Sequence, residues 1–122
     1  MKLSLSVRIA ESYSDKKKSV LSLEQICENA RLSNYKAICM RPSQVGVENS
    51  REEILQACEI VANNNLNVSM VTGDFDIPAN NDLAGMAQRN ITPYIDLCKL
   101  LNSTLIRIAI KNQEDIKYTQ YA

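Results

Sequence analysis

Apolar positions along the chain switch repeatedly between a period of two and a period near 3.6. Leu3, Leu5, Val7 and Ile9 alternate with Ser4, Ser6 and Arg8, the pattern of a strand with one covered face. After a polar loop, Ser22-Leu23-Glu24-Gln25 has the form of a capping box, with Leu23, Ile26, Cys27 and Ala30 on one helical face. Ala37-Ile38-Cys39-Met40 is a short unbroken apolar run, as expected of a strand covered on both sides. Ser50-Arg51-Glu52-Glu53 is a second capping box, opening a helix with Ile54, Ala57, Cys58 and Val61 inward. That helix is expected to stop at Asn63-Asn64-Asn65, where helix propensity is low and left-handed backbone is tolerated.

The third unit repeats the scheme. Val68 to Thr72 reads as a strand, a long loop is expected from Gly73 to about Asn90, and Thr92-Pro93 forms an N-cap with proline at the first helical position. Tyr94, Leu97, Cys98 and Leu101 make the buried stripe of that helix. Leu105 to Ile110 is a fourth strand, and Asn112 to Ala122 reads as the first turns of a fourth helix. Strands thus recur about every 31 to 37 residues with a helix between them. The pattern is α/β, a (βα)4 unit whose right-handed crossovers make the sheet parallel. Two architectures fit: an open doubly wound sheet, or half of a (βα)8 barrel. A full barrel needs roughly 250 residues, so the 122 residues here are expected to form the N-terminal half of one, truncated at the start of the fourth helix. With the last element stopping without a glycine C-cap or a closing strand, the half is expected to be a fragment of a longer protein or to need a partner. Left alone, its end strands would be open edges and its inner face uncovered.

Composition narrows the function. Lys+Arg and Asp+Glu are 14 each and no basic tract extends beyond Lys16-Lys17-Lys18, which argues against nucleic acid as a partner. No apolar run approaches the roughly 20 residues of a membrane span, and no secretory leader is recognisable. Cys27, Cys39, Cys58 and Cys98 form no C-x-x-C and have no histidine to join, so they read as buried hydrophobes of a cytoplasmic protein. The absent histidine also removes the commonest general base. There is no G-x-G-x-x-G, no P-loop, and no Ser-His or Cys-His pair.

In both architectures ligands bind beyond the carboxyl ends of the strands. Those ends offer Arg8 and Glu11, then Arg41, Ser43 and Gln44 with Gly46 for a tight turn, then Thr72, Gly73, Asp74 and Asp76, and finally Arg107 and Lys111. Guanidinium forks take phosphate or carboxylate, while carboxylates and amides pair with hydroxyls. A small anionic, polyhydroxylated ligand suits the set. Arg8 has an alternative use as an ion-pair partner of Glu11. Asp74-Phe75-Asp76 looks like a metal-binding D-x-D, but two carboxylates in a loop read rather as a solvated loop or turn cap, and Lys16 to Lys18 as a solvated loop edge.

Five segments together resemble the sugar phosphate isomerase/epimerase family, with the xylose isomerase-like TIM barrel also found in the endonuclease IV group. They are Arg8-Ile-Ala-Glu11, Cys39-Met-Arg-Pro-Ser-Gln-Val-Gly46, Val68-Ser-Met-Val-Thr-Gly-Asp-Phe-Asp76, Arg89-Asn-Ile-Thr-Pro93 and Leu105-Ile-Arg-Ile108. The resemblance implies a barrel that uses a divalent metal (Mn, Mg, Zn or Co) to move a hydride, or protons through an enediolate. It places the metal ligands, Glu, Asp, His and Glu, mainly on strands five to eight, so this chain supplies none. It also implies substrate contacts from Glu11, Arg41, Gln44, Asp74 and Arg107, with a small sugar or sugar phosphate as partner. The chain is accordingly expected to be inactive alone. Two rivals stand beside this reading: a non-catalytic half-barrel that self-associates or pairs with a separate second half, and an endonuclease IV-type repair enzyme. Zero net charge counts against the last.

Overall fold

The computed structural model describes residues 2–76 and 84–109, with side chains described outside 73–90 and 108–109. Strand β1 is Ser4–Ser6, followed by a 3-10 turn at Val7–Ala10. Helix α1 (Leu23–Leu32), β2 (Ala37–Met40), α2 (Arg51–Asn63), β3 (Asn67–Asp76), α3 (Ala84–Leu100) and β4 (Ile106–Ala109) complete the order. The strands form one parallel sheet in the order β1-β2-β3-β4. A doubly wound sheet reverses direction at a switch point. Each strand here is laid down on the same side of the last, the progression of a barrel wall.

Helix starts follow the sequence expectation. The Ser22 hydroxyl accepts the Gln25 N–H at 3.2 Å, and the Gln25 side chain accepts the Ser22 N–H at 2.9 Å. Ser50 and Glu53 repeat the exchange, at 3.2 Å each way. Helix ends follow one rule as well. Asn34, Asn65 and Asn102 have φ of 63°, 58° and 55°, each just past a helix. The next residue's N–H reaches back to close a six-residue Schellman loop: Tyr35 to the Ala30 carbonyl (2.9 Å), Leu66 to Val61 (3.2 Å), Ser103 to Cys98 (2.8 Å). Asparagine does here what glycine usually does, because its short polar side chain tolerates the left-handed region.

The core lies between the sheet and the helices. Ile38, Met40, Val68 and Val71 from the sheet meet Ile26, Cys27 and Ala30 of α1, Ile54, Ala57 and Val61 of α2, and Leu97 and Leu101 from α3 and the turn after it. Ile38 and Met40 are 0% exposed; burying each such side chain contributes about 1.5–3 kcal/mol. Of the predicted α2 stripe, Cys58 is only half-buried.

Three boundaries differ from expectation. β1 ends at Ser6 rather than continuing to Ile9, because the Ser6 hydroxyl accepts the Arg8 N–H (3.2 Å) and turns the chain into the 3-10 turn. Ile9 is consequently 65% exposed. β3 runs on through Gly73 and Asp74 to Asp76, where a loop is expected. α3 starts at Ala84, not at Thr92, and carries Pro93 in its interior. The helix-forming run Met86-Ala87-Gln88-Arg89 outweighs one lost hydrogen bond at the proline. Lys111 and the predicted fourth helix lie outside the described residues.

Candidate functional site

Because strand side chains alternate, the residues between the core positions point to the sheet face turned away from the helices. That face is lined by Ser4 and Ser6 of β1, Cys39 of β2 and Arg41 just after it, Met70 and Thr72 of β3, Leu105, and Arg107 of β4. Together with Arg8 and Ser69 they border a cavity of about 470 Å³. Ser69 belongs there because β3 carries a bulge. Ile38 pairs with Val68 but Cys39 with Met70, so one extra residue enters the strand. The Ser69 hydroxyl lies 2.6 Å from that of Ser4 and donates to the Ile38 carbonyl at 3.3 Å. Thr72 and Arg107 are register partners across β3 and β4, which sets a hydroxyl beside a guanidinium.

The charged centre of the site is an ion pair between Glu11 and Arg41. Glu11 closes the 3-10 turn after β1, and Arg41 follows β2 directly. In a parallel sheet, residues just past neighbouring strands are neighbours themselves, so the two meet. The Arg41 Nε donates to Glu11 Oε1, and the Ser43 hydroxyl donates to the same oxygen at 3.2 Å. The Glu11 side chain is 4% exposed and that of Arg41 17%. Glu11 Oε2 is buried without a hydrogen-bond partner among the described residues. Arg41, not Arg8, is thus the partner of Glu11. Arg8 and Arg107 are both exposed and border the same cavity as Arg41.

Gln44 sits elsewhere. Its Nε2 donates to Ser19 Oγ (2.8 Å) and to the Leu21 carbonyl (2.9 Å), tying the loop after β2 to the segment entering α1. Asp74 is in β3; its side chain lies outside the described residues. Gly46 faces Pro42 so closely that a Cβ would sit 3.2 Å from Pro42 Cβ, which keeps the loop beside Arg41 compact. Lys16 to Lys18 are exposed, as expected of a loop edge.

All four cysteines are free. Burial, reinforced by nearby Glu24, pushes the Cys27 thiol up to about 11, and burial also raises that of Cys98; neither is a ready nucleophile. Among the described residues no three of histidine, cysteine, aspartate and glutamate gather as a metal site. Among the described residues around the cavity the polar groups are guanidiniums and hydroxyls, with only the Cys39 thiol and the Met70 sulfur beside them, a set that does not fit a divalent cation.

Parallel strands in sequential order with interleaved helices define the chain's class as an α/β half-barrel of the TIM type. No family model matches the chain, and no curated protein matches it. A solved structure does: the probable 3-DHS dehydratase AsbF involved in petrobactin synthesis, from Bacillus anthracis. It is 13% identical with a TM-score of 0.69, over 99% of this chain and 45% of that one. The chain therefore spans about half the length of that structure, and at this identity the likeness is one of fold.

Proposed function

We propose that the chain is the ligand-facing half of a barrel enzyme acting on a small phosphorylated or polyhydroxylated sugar, in the manner of a metal-dependent isomerase or epimerase. The observation that carries the reading is the convergence of Arg8, Arg41 and Arg107 with the Ser6 and Thr72 hydroxyls on one cavity. Guanidinium forks bind phosphate or carboxylate, and hydroxyl side chains match a polyol. The match to AsbF, described as a dehydratase, agrees with a barrel that processes small oxygenated molecules. Among the described residues no group of side chains forms a metal site. The family resemblance assigns the metal to later strands. Alone, the chain has hydrogen-bonding and anion-holding groups but no histidine to act as a base, and it is expected to be inactive without its complement.

The decisive assay uses the full-length protein on phosphorylated ketoses and aldoses, with and without a chelator. Arg41→Ala and Arg107→Ala are each expected to lower kcat/KM by tenfold or more, in line with loss of a charge-assisted contact. Unchanged kcat and KM in both variants would remove the site.

A second reading, a non-catalytic half-barrel that self-associates or docks a separate half, is supported by Leu105, 59% exposed on the cavity wall. Its signature is a dimer or heterodimer in sedimentation; a folded monomer counts against it. No described helix is long and apolar enough to cross a membrane, and the free thiols suit a cytoplasmic setting.

A further inference from the structure

We propose that Glu11 is a positioning residue. It locks the Arg41 guanidinium through Nε, so that the two terminal nitrogens are presented to the cavity as a preset fork. The proposal rests on the reading above that Arg41 takes the anionic group of the ligand.

Three observations support it. First, the division of labour is spatial: Arg41 borders the cavity and Glu11 does not. Glu11 meets Arg41 at Nε, the inner end of the guanidinium, and the terminal nitrogens have no partner among the described residues. Second, the carboxylate stands on fixed backbone. The segment bearing Glu11 is paired with Ser19 as an antiparallel bridge, flanked by Val20 N–H to the Ala10 carbonyl (2.7 Å) and Ser12 N–H to the Lys18 carbonyl (2.8 Å). The Ser43 hydroxyl holds Oε1 from the other side at 3.2 Å. Third, the arrangement is poor if stability were its purpose, because Oε2 is buried and unpaired, a cost that native structures rarely carry without a use. Arg8 and Arg107 provide the contrast: both are exposed and would have to surrender rotamer freedom on binding, which a preset fork has already lost.

The proposal has a sign that separates it from simple electrostatics. Removing a carboxylate beside a guanidinium should tighten anion binding by Coulomb attraction alone. Loss of positioning should weaken it. The test titrates the full chain with inorganic phosphate by calorimetry and follows the Arg41 Nε–H resonance, assigned by its loss in Arg41→Lys. Expected are a slowly exchanging Nε–H that moves on phosphate addition, about tenfold weaker binding in Glu11→Ala, and binding within about twofold of the starting protein in Glu11→Gln, which keeps an acceptor oxygen for Nε. If Glu11→Ala does not fold, Glu11→Asp, whose carboxylate is one methylene too short to reach, serves at the same threshold. Unchanged or tighter binding in that variant, with Arg41→Ala defective, overturns the positioning role and leaves the reading of Arg41 standing. Unchanged binding in Arg41→Ala, or no phosphate binding by the starting protein, overturns both. A rapidly exchanging Nε–H overturns the locked fork whatever the variants do.

Discussion

The two faces of the same sheet are built on opposite principles. Toward the helices, Ile38, Met40, Val68 and Val71 are buried in a continuous apolar layer. Away from them, serines, a threonine, a cysteine and arginines stand with Met70 and Leu105 around a cavity of about 470 Å³. The first face trades exposed surface for stability; the second spends little on stability and keeps hydrogen-bonding and charged groups available. Residues one position apart in β2, Ile38 and Cys39, therefore belong to different problems. Changing one should be felt by the fold and changing the other by the ligand.

The largest test of that division is Ile38→Ala, expected to cost about 2–5 kcal/mol in urea denaturation, while Cys39→Ala, which removes one sulfur on the cavity side, costs less than half as much. Equal losses would erase the distinction. Next is pH. The folded-state pKa of Cys27 stands at about 11 against 9.0 for a free thiol, so the unfolded chain ionises first as pH rises. The stabilising contribution is complete below about 9 and is lost on the way to about 11. The urea midpoint should fall over that window, and Cys27→Ala should flatten the fall. A smaller effect is expected at the helix ends: Asn65→Ala should cost about 1 kcal/mol, the price of a β-carbon in left-handed backbone without asparagine's local polar contacts, whereas Asn65→Gly should cost nothing. The smallest is Arg107→Ala on the open face, expected to change stability by no more than about 0.5 kcal/mol while weakening phosphate binding in the same titration.

What the sequence discloses follows from how local each signal is. The serine-led capping boxes at Ser22 and Ser50, the buried α1 stripe and the asparagine stop after α2 depend on residues a few positions apart, and all appear in the structure. The parallel βα sheet follows from the repeat, which suits a doubly wound sheet as well as a half-barrel; the sequential strand order decides for the latter. The end of β1 is decided by a single serine hydroxyl competing for the backbone, which an alternating apolar pattern hides. The start of α3 is decided by propensity summed over residues ahead of Pro93, where the Thr-Pro pair offers a stronger but wrong boundary. At the site, Arg41 stands out because it interrupts an apolar strand before Pro42. Its pairing with Glu11 spans 30 residues and was foreseeable only from parallel topology, which brings successive strand ends together. Gln44 shows the reverse: by type and place it suits a ligand, yet its amide hydrogens bridge two loops, a long-range arrangement that no local pattern announces.

The sequential strand order has a consequence for how the molecule comes into being. Each strand pairs with its predecessor in the chain, β1 with β2, β2 with β3 and β3 with β4, so no pairing waits for a distant segment. Contact order stays low for a parallel sheet, and loop closure never spans more than one helix and its connections. On the ribosome, each new βα unit emerges with its template already in place. Assembly can thus proceed from the N-terminus one unit at a time, and the Glu11–Arg41 pair can form as soon as β2 docks, before α2 has folded.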